Sequence, residues 1–193
     1  MPSASHGRLI VFSGPSGAGK TTVLEKVLAR CPWIEPSISA TTRPPRPGEQ
    51  AGVHYYFLST EDFNRRREGG EFLECSEVFG RGHWYGTLQS EVAPRLAAGK
   101  SVLLEIDVTG MLAVLQRYPD AITIFVRPAS VEELERRLKA RGTESAEAIA
   151  RRLEVARQEL AYADRYQYVI NNDVLEDAVN NICSVLAQLE ESR

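Results

Sequence analysis

The chain has 193 residues, 43% of them hydrophobic and 25% charged, the balance of an ordinary globular protein with one substantial core. Its formal net charge of −3 argues against bulk attraction to a nucleic-acid backbone, so any anion-binding chemistry must be local, where arginines gather. Cys31, Cys75 and Cys183 are far apart in sequence and lack metal-ligand spacing, which argues against a disulfide framework or a zinc site and reads as three reduced thiols.

Met1 to Arg8 has no apolar stretch of the signal-peptide kind, and no apolar run approaches the ~18 residues of a membrane span. The expectation is a soluble, cytoplasmic protein with no membrane or nucleic-acid partner.

In chain order, Leu9 to Ser13 (LIVFS) reads as a buried strand running into a glycine-rich turn. Thr21 to Arg30 places Val23, Leu24, Val27 and Leu28 on one helical stripe, closed by Pro32. Ser101 to Asp107 and Ala121 to Val126 read as further buried strands, each followed by a helix, over Thr109 to Arg117 and Ser130 to Lys139. Tyr166 to Ile170 is a fourth candidate strand, ahead of an amphipathic stretch from Val174 to Leu189.

Strands alternating with helices predict an α/β fold, a doubly wound parallel sheet covered on both faces. Two regions interrupt the alternation. Residues 37–97 are rich in Thr, Pro, Gly, Tyr and Arg, and read as short strands and loops with one helix after Ser59 that stops at Gly69-Gly70. Residues 137–163 read as helical and arginine-rich. Core strands resume after each, so the expectation is a single domain: a core of 1–36, 98–136 and 164–193 carrying two insertions.

Gly14-Pro15-Ser16-Gly17-Ala18-Gly19-Lys20-Thr21 satisfies G-x-x-x-x-G-K-[ST] between a predicted strand and a predicted helix, the setting of a P-loop. Consecutive backbone N–H groups turn inward onto phosphate oxygens, and the following helix adds the positive end of its dipole. Lys20 is placed to bridge β- and γ-phosphates, and the Thr21 hydroxyl to ligate Mg2+. This loop promises a nucleoside triphosphate without separating a switch, a motor and a kinase.

The run Ser39-Ala40-Thr41-Thr42-Arg43-Pro44-Pro45-Arg46-Pro47-Gly48-Glu49 sets two arginines three residues apart in a proline-stiffened segment. Guanidinium forks suit phosphate oxygens, although a loop arginine is ordinarily a solvated one. Further on, Glu105 and Asp107 are two apart at the end of a predicted strand, which would turn both carboxylates to one face near the metal side of a P-loop. Arg137 and Arg141 share a helical face, with Arg152 in the next helical segment, while Arg136, Arg151 and Arg157 read as solvated.

GPSGAGKT, SATTRPPRPGE, GVHYYF, EFLE, WYGT and LLEID together resemble the guanylate kinases, from Leu9 through Asn172-Asp173. The resemblance implies transfer of the ATP γ-phosphoryl group to GMP, or dGMP, with Mg2+ as cofactor and no covalent intermediate. It implies that Arg43, Arg46, Tyr55 and Tyr85 hold the GMP phosphate and that Ser39, Glu74, Thr87 and Asp107 surround guanine. It makes 37–97 the GMP-binding region and 137–163 a lid, with Lys20, Arg46, Arg137, Arg141 and Arg152 acting around the phosphates and Asn172 approaching adenine. Glu105 is then left with the metal-side role, directly or through water. The assignment of Glu74 fits the chemistry of the base, because one carboxylate accepts from both N1–H and the exocyclic amine of guanine, whereas adenine has no donor at N1.

Between Glu74 and Tyr85 the chain is two residues longer than the family spacing, with Arg81-Gly82 as the extra pair and His83-Trp84 read as capping the wider turn. Two other readings compete. A guanylate-kinase-like binding module of scaffold type would lack an intact P-loop lysine, yet Lys20, Thr21 and both clamp arginines are present. A kinase for a phosphorylated sugar would need the clamp but not Glu74, Thr87 and Asp107 together.

Overall fold

The computed structural model of the chain describes residues 7–77, 82–140 and 145–191. Five strands form a parallel sheet in the order β2-β7-β1-β8-β9, from β1 (Leu9–Ser13), β2 (Ile34–Pro36), β7 (Ser101–Glu105), β8 (Ile122–Arg127) and β9 (Tyr168–Asn171). Four more make a mixed sheet in the order β4-β3-β6-β5, from β3 (Ala40–Thr41), β4 (Tyr56–Phe57), β5 (Phe72–Glu77) and β6 (Trp84–Leu88). The described helices are α1 (Lys20–Arg30), α2 (Thr60–Glu68), α3 (Gln89–Ala97), α4 (Val108–Arg117), α5 (Val131–Ala140), α6 (Ala146–Leu160) and α7 (Leu175–Glu191). None of them is long and apolar enough to cross a membrane.

The chain divides into two compact units, one including residues 35–121 and the other built on 11–34 and 122–191. In the first, β3 pairs parallel to β4 and antiparallel to β6, and β6 pairs antiparallel to β5 with Glu74 opposite Thr87. The sheet packs over Ala40, Phe63, Phe72 and Leu88, with Phe63 and Phe72 stacked 4.4 Å apart. Each large side chain so buried contributes about 1.5–3 kcal/mol. Helix α2 begins where Ser59 Oγ accepts from the Asp62 amide at 3.1 Å and ends at Gly69, with acids in its first turn and arginines in its last.

A second helix, α3, lies in the region whose sequence reads as loops. Pro94 falls inside it and leaves a carbonyl of the first turn without its helical donor, a loss of about 3 kcal/mol in an isolated helix. Burial of Val92 and Leu96 on one face offsets that loss.

In the second unit, Leu134, Leu138, Ile149, Leu153 and Ala156 form the seam of a helical pair, α5 and α6. The spacings 134/138 and 149/153/156 give each helix one apolar stripe, and Ser145 caps α6 by accepting from the Ala148 amide. Strands β8 and β9 pair in parallel from Ile124–Tyr168 to Arg127–Asn171.

Candidate functional site

In the second unit, β1 ends at Ser13 and the P-loop carries the chain into α1. Gly14 has φ 153°, and a Cβ there would stand 2.1 Å from the Val126 carbonyl oxygen; Gly19, the N-cap of α1, has φ 86°. No L side chain fits both the backbone and the space at these two positions, so glycine is what lets the loop close. The Lys20 ammonium donates to the carbonyls of Gly14 at 2.5 Å and Pro15 at 3.2 Å, which curls its charge back over the loop. Thr21 is exposed in the first turn of α1.

Three side chains hold the loop from outside. The Asn172 amide, 6% exposed, donates to the Ala18 carbonyl at 2.7 Å. Arg137 donates from Nη2 to the Asn172 carbonyl at 3.1 Å and from Nε to Glu133 at 2.7 Å. Arg152 donates to the Ser16 hydroxyl. The arginines at 136 and 137 hold the Glu133 carboxyl down at about 2. Arg137, Arg152 and Asn172 thus converge on Ser16 to Gly19, whereas Arg136, Arg151 and Arg157 are solvated as their helical positions imply. Arg141 lies outside the described residues.

In the first unit, Arg43 is the hub. Its guanidinium is 10% exposed and forms a two-pronged pair with Glu49, at 2.9 Å from Nη1 and 2.8 Å from Nη2. Its Nε donates to the Tyr85 hydroxyl at 3.1 Å, and it lies 5.4 Å from the Tyr55 ring centre. Tyr55 and Tyr85 meet edge to face at 6.0 Å. Glu49 also accepts from the Arg46 amide at 2.7 Å, so one carboxylate ties both ends of the proline-rich turn. Bonding to Arg43, then to Arg46, holds its carboxyl down at about 2, and the same pairing raises Arg43. The Arg46 side chain is exposed. Burial, followed by the charge of Glu105, pushes the Tyr55 phenol up.

Glu74 sits on β5, 6% exposed, and accepts from the Thr87 hydroxyl at 2.7 Å. Burial pushes its carboxyl up to about 7; the Thr87 bond opposes this and the charge of Asp107 adds to it. Asp107 accepts from the Ser76 hydroxyl at 2.9 Å and from the Gly110 amide at 2.7 Å. A Cβ at Gly110 would stand 2.8 Å from Glu74 Oε2, so this carboxylate is lodged against the start of α4. Ser39 is half-buried and its carbonyl accepts from the Tyr56 amide at 2.9 Å.

Two readings of the sequence change here. Strand β7 stops at Glu105 and Asp107 is the N-cap of α4, so strand alternation does not relate their side chains; Glu105 is exposed, whereas Asp107 is tied to α4 and Ser76. Glu49, quoted in the arginine run without a role, is the partner of Arg43. Its position six residues after Arg43, beyond three prolines and a glycine, is the signal that could have found it. Of the extended turn, Arg81 lies outside the described residues. Trp84 starts β6 with its ring 6.2 Å from Phe63 and beneath the Arg67 guanidinium at 4.4 Å.

A family sequence model described as Guanylate kinase matches residues 6–189. A guanylate kinase of Rhodopirellula baltica is 53% identical over 186 residues, 95% of this chain and 89% of that one. One of Desulfitobacterium hafniense is 48% identical over 182 residues, covering 94% and 90% respectively. The crystal structure of guanylate kinase from Anaplasma phagocytophilum superposes with a TM-score of 0.78 at 33% identity, covering 95% of this chain and 86% of the other. With a P-loop in one unit and an arginine, tyrosine and carboxylate cluster in the other, the chain belongs to the guanylate kinase family, phosphotransferases that act on GMP.

Proposed function

We propose that the chain transfers the γ-phosphoryl group of ATP in line to GMP or dGMP, without a covalent enzyme intermediate, and that the residues named above divide this work between donor and acceptor. ATP-dependent phosphorylation of GMP is the activity its family membership supports. The observation that carries the acceptor half is a buried Glu74 carboxylate bonded to Thr87 with Asp107 near it. Guanine answers this group with two neighbouring donors, and adenine with an acceptor at N1.

On the acceptor side, Arg43, Arg46, Tyr55 and Tyr85 take the GMP phosphate, with Ser39, Thr87 and Asp107 beside Glu74 around the base. Tyr85 and Glu49 fix the Arg43 fork in advance, so little side-chain freedom is lost when a phosphate arrives.

On the donor side, the amides of Gly14 to Thr21 cradle the ATP phosphates, and Lys20 leaves the Gly14 and Pro15 carbonyls for the β- and γ-oxygens. Residues 137–163 serve as the lid. Arg137, Arg141 and Arg152 spread positive charge over the equatorial oxygens that gain charge in the transition state, and they exclude water. Asn172 contributes beside adenine from its post on Ala18.

The exposed Thr21 hydroxyl of the second unit is a hard oxygen donor of the kind Mg2+ takes and would hold it, and the exposed Glu105 carboxylate of the first unit is a donor of the same kind, directly or through water. Bound with ATP, the ion would supply positive charge to the phosphates.

The test is Glu74→Gln. Loss of on the order of 100-fold in kcat/KM for GMP, with KM for ATP unchanged, is expected because the amide turns a donor toward the base. Unchanged GMP turnover would contradict a base site built on Glu74; a sugar-phosphate kinase would show little change in turnover of its own phosphorylated sugar, for which Glu74 has no use.

A further inference from the structure

Two thiols that lie 152 residues apart in sequence meet in the second unit: Cys31 Sγ donates to Cys183 Sγ at 3.6 Å. Cys31 is the C-cap of α1, 1% exposed, and Cys183 is half-buried on α7. Neither belongs to the phosphate machinery.

The seam that brings them together is held in register by polar contacts along the same helix faces. Lys26 Nζ pairs with Glu176 at 2.8 Å, and Arg30 pairs with Glu176 at 2.6 Å and donates to Asn180 at 2.7 Å. Glu176, Asn180 and Cys183 are i, i+4 and i+7 on α7, one stripe facing the end of α1. The thiols are therefore presented to each other by a registered interface. A disulfide requires the remaining gap to close to about 2.05 Å.

We propose that Cys31 and Cys183 form a reversible redox site, a disulfide that clasps α1 to α7 when the protein meets hydrogen peroxide. The half-buried Cys183 reacts first. Its sulfur attacks one oxygen of the peroxide, the O–O bond breaks, and Cys183 becomes a sulfenic acid with release of water. Cys31 sulfur then attacks Cys183 sulfur, the S–O bond breaks, and the departing hydroxide leaves as water with the Cys31 proton. Two thiols are oxidised and one peroxide is reduced to two waters.

Burial, with the Cys183 contact adding to it, pushes the Cys31 thiol up to about 12, which shields it from direct attack and leaves Cys183 as the point of entry. The clasp closes most of the chain into one loop, so its effect is on stability. It lies at the far end of α1 from Lys20, about 16 Å along the helix, and leaves phosphoryl transfer alone.

The experiment treats the full-length reduced chain with stoichiometric hydrogen peroxide. It reads free thiols in denaturant, intact mass, non-reducing peptide maps, Tm and GMP turnover. Expected are a fall from three thiols to one, a mass loss of about 2 Da, and a peptide joining Cys31 to Cys183. Tm should rise by about 5–10 °C and kcat should stay within about twofold. Dithiothreitol should reverse all of it, and Cys183→Ser, at a half-buried position, should abolish it, as should Cys31→Ser. Three thiols persisting, a bridge through Cys75, oxygen adducts on separate cysteines, or a bridge that leaves Tm unchanged would each overturn the proposal.

Discussion

The Thr87 hydroxyl donates a 2.7 Å hydrogen bond to Glu74 Oε1 from the position directly opposite it across β5 and β6. This bond, with a weaker one from the Thr87 backbone, lowers the Glu74 carboxyl against burial and the Asp107 charge, which raise it to about 7. The proposed acceptor site therefore holds a carboxyl that titrates near neutral pH, and only its ionised form would accept from both neighbouring donors of guanine. GMP affinity should tighten about tenfold between pH 6 and pH 8, following the ionised fraction. Thr87→Val should move that midpoint upward, and Glu74→Gln should flatten it, leaving only titration of the nucleotide phosphate. Calorimetric titration of GMP across this range checks both.

The same carboxyl makes a signed contribution to stability. Its folded value is raised, so the folded chain binds more protons than the unfolded one between pH 4.5 and about 7. Stability from this group is fully present below pH 4.5 and is lost as pH rises through about 7. Glu49 acts in the opposite sense: lowered to about 2, it stabilises above pH 4.5, and that contribution is lost as pH falls toward 2. The Tm difference between wild type and Glu74→Gln should shrink or reverse from pH 5 to pH 8, and that between wild type and Glu49→Gln should shrink from pH 5 downward.

Glu49→Gln should also act on the substrate. Arg43 would lose half of its two-pronged anchor and the Arg46 amide its charged acceptor, so the clamp would have to be ordered by GMP itself. KM for GMP should rise about tenfold while KM for ATP stays put, in steady-state assays varying each substrate. A change confined to ATP would contradict a positioning role at Arg43.

Lys20→Ala should reduce kcat by on the order of 10³-fold or more, because its ammonium serves developing phosphate charge. Its ammonium turns to the Gly14 and Pro15 carbonyls of the loop it serves rather than into the apolar core, so Tm should stay within about 3 °C of wild type. A melting temperature that collapses with activity would show that the lysine holds the fold instead.

How much of this was legible in the sequence follows from the range of each interaction. The P-loop was readable because its chemistry is contained in eight consecutive residues with a strand before and a helix after. Helices α1, α2, α4, α5 and α7 follow their stripes and caps to within one or two residues, as local periodicity allows. Helix α3 was hidden by Pro94, whose local penalty is overridden by burying Val92 and Leu96, a tertiary effect. Asp107 was misplaced by one element, since strand alternation does not announce that the residue after Ile106 turns to cap α4.

The Cys31–Cys183 contact leaves no trace in the sequence, and Glu49 leaves only its spacing from Arg43, for a different reason. A carboxylate six residues from an arginine, or thiols 152 residues apart, become partners only when a turn or a pair of helices brings them together. Residue-type logic named Arg43, Glu74, Thr87 and Asp107 through the family's motifs. The bonds that tune them, Glu49 on Arg43 and Ser76 on Asp107, are properties of the folded chain.

The proposed reaction is phosphorylation of guanine monophosphates from ATP through a base site built on Glu74. A coupled assay of ADP release, with ATP and saturating Mg2+ against GMP, dGMP, AMP, UMP and CMP in turn, tests it most directly. Expected is a kcat/KM for GMP at least about 100-fold above AMP, UMP and CMP, with dGMP close behind GMP. Comparable or faster turnover of AMP, UMP or CMP would contradict it.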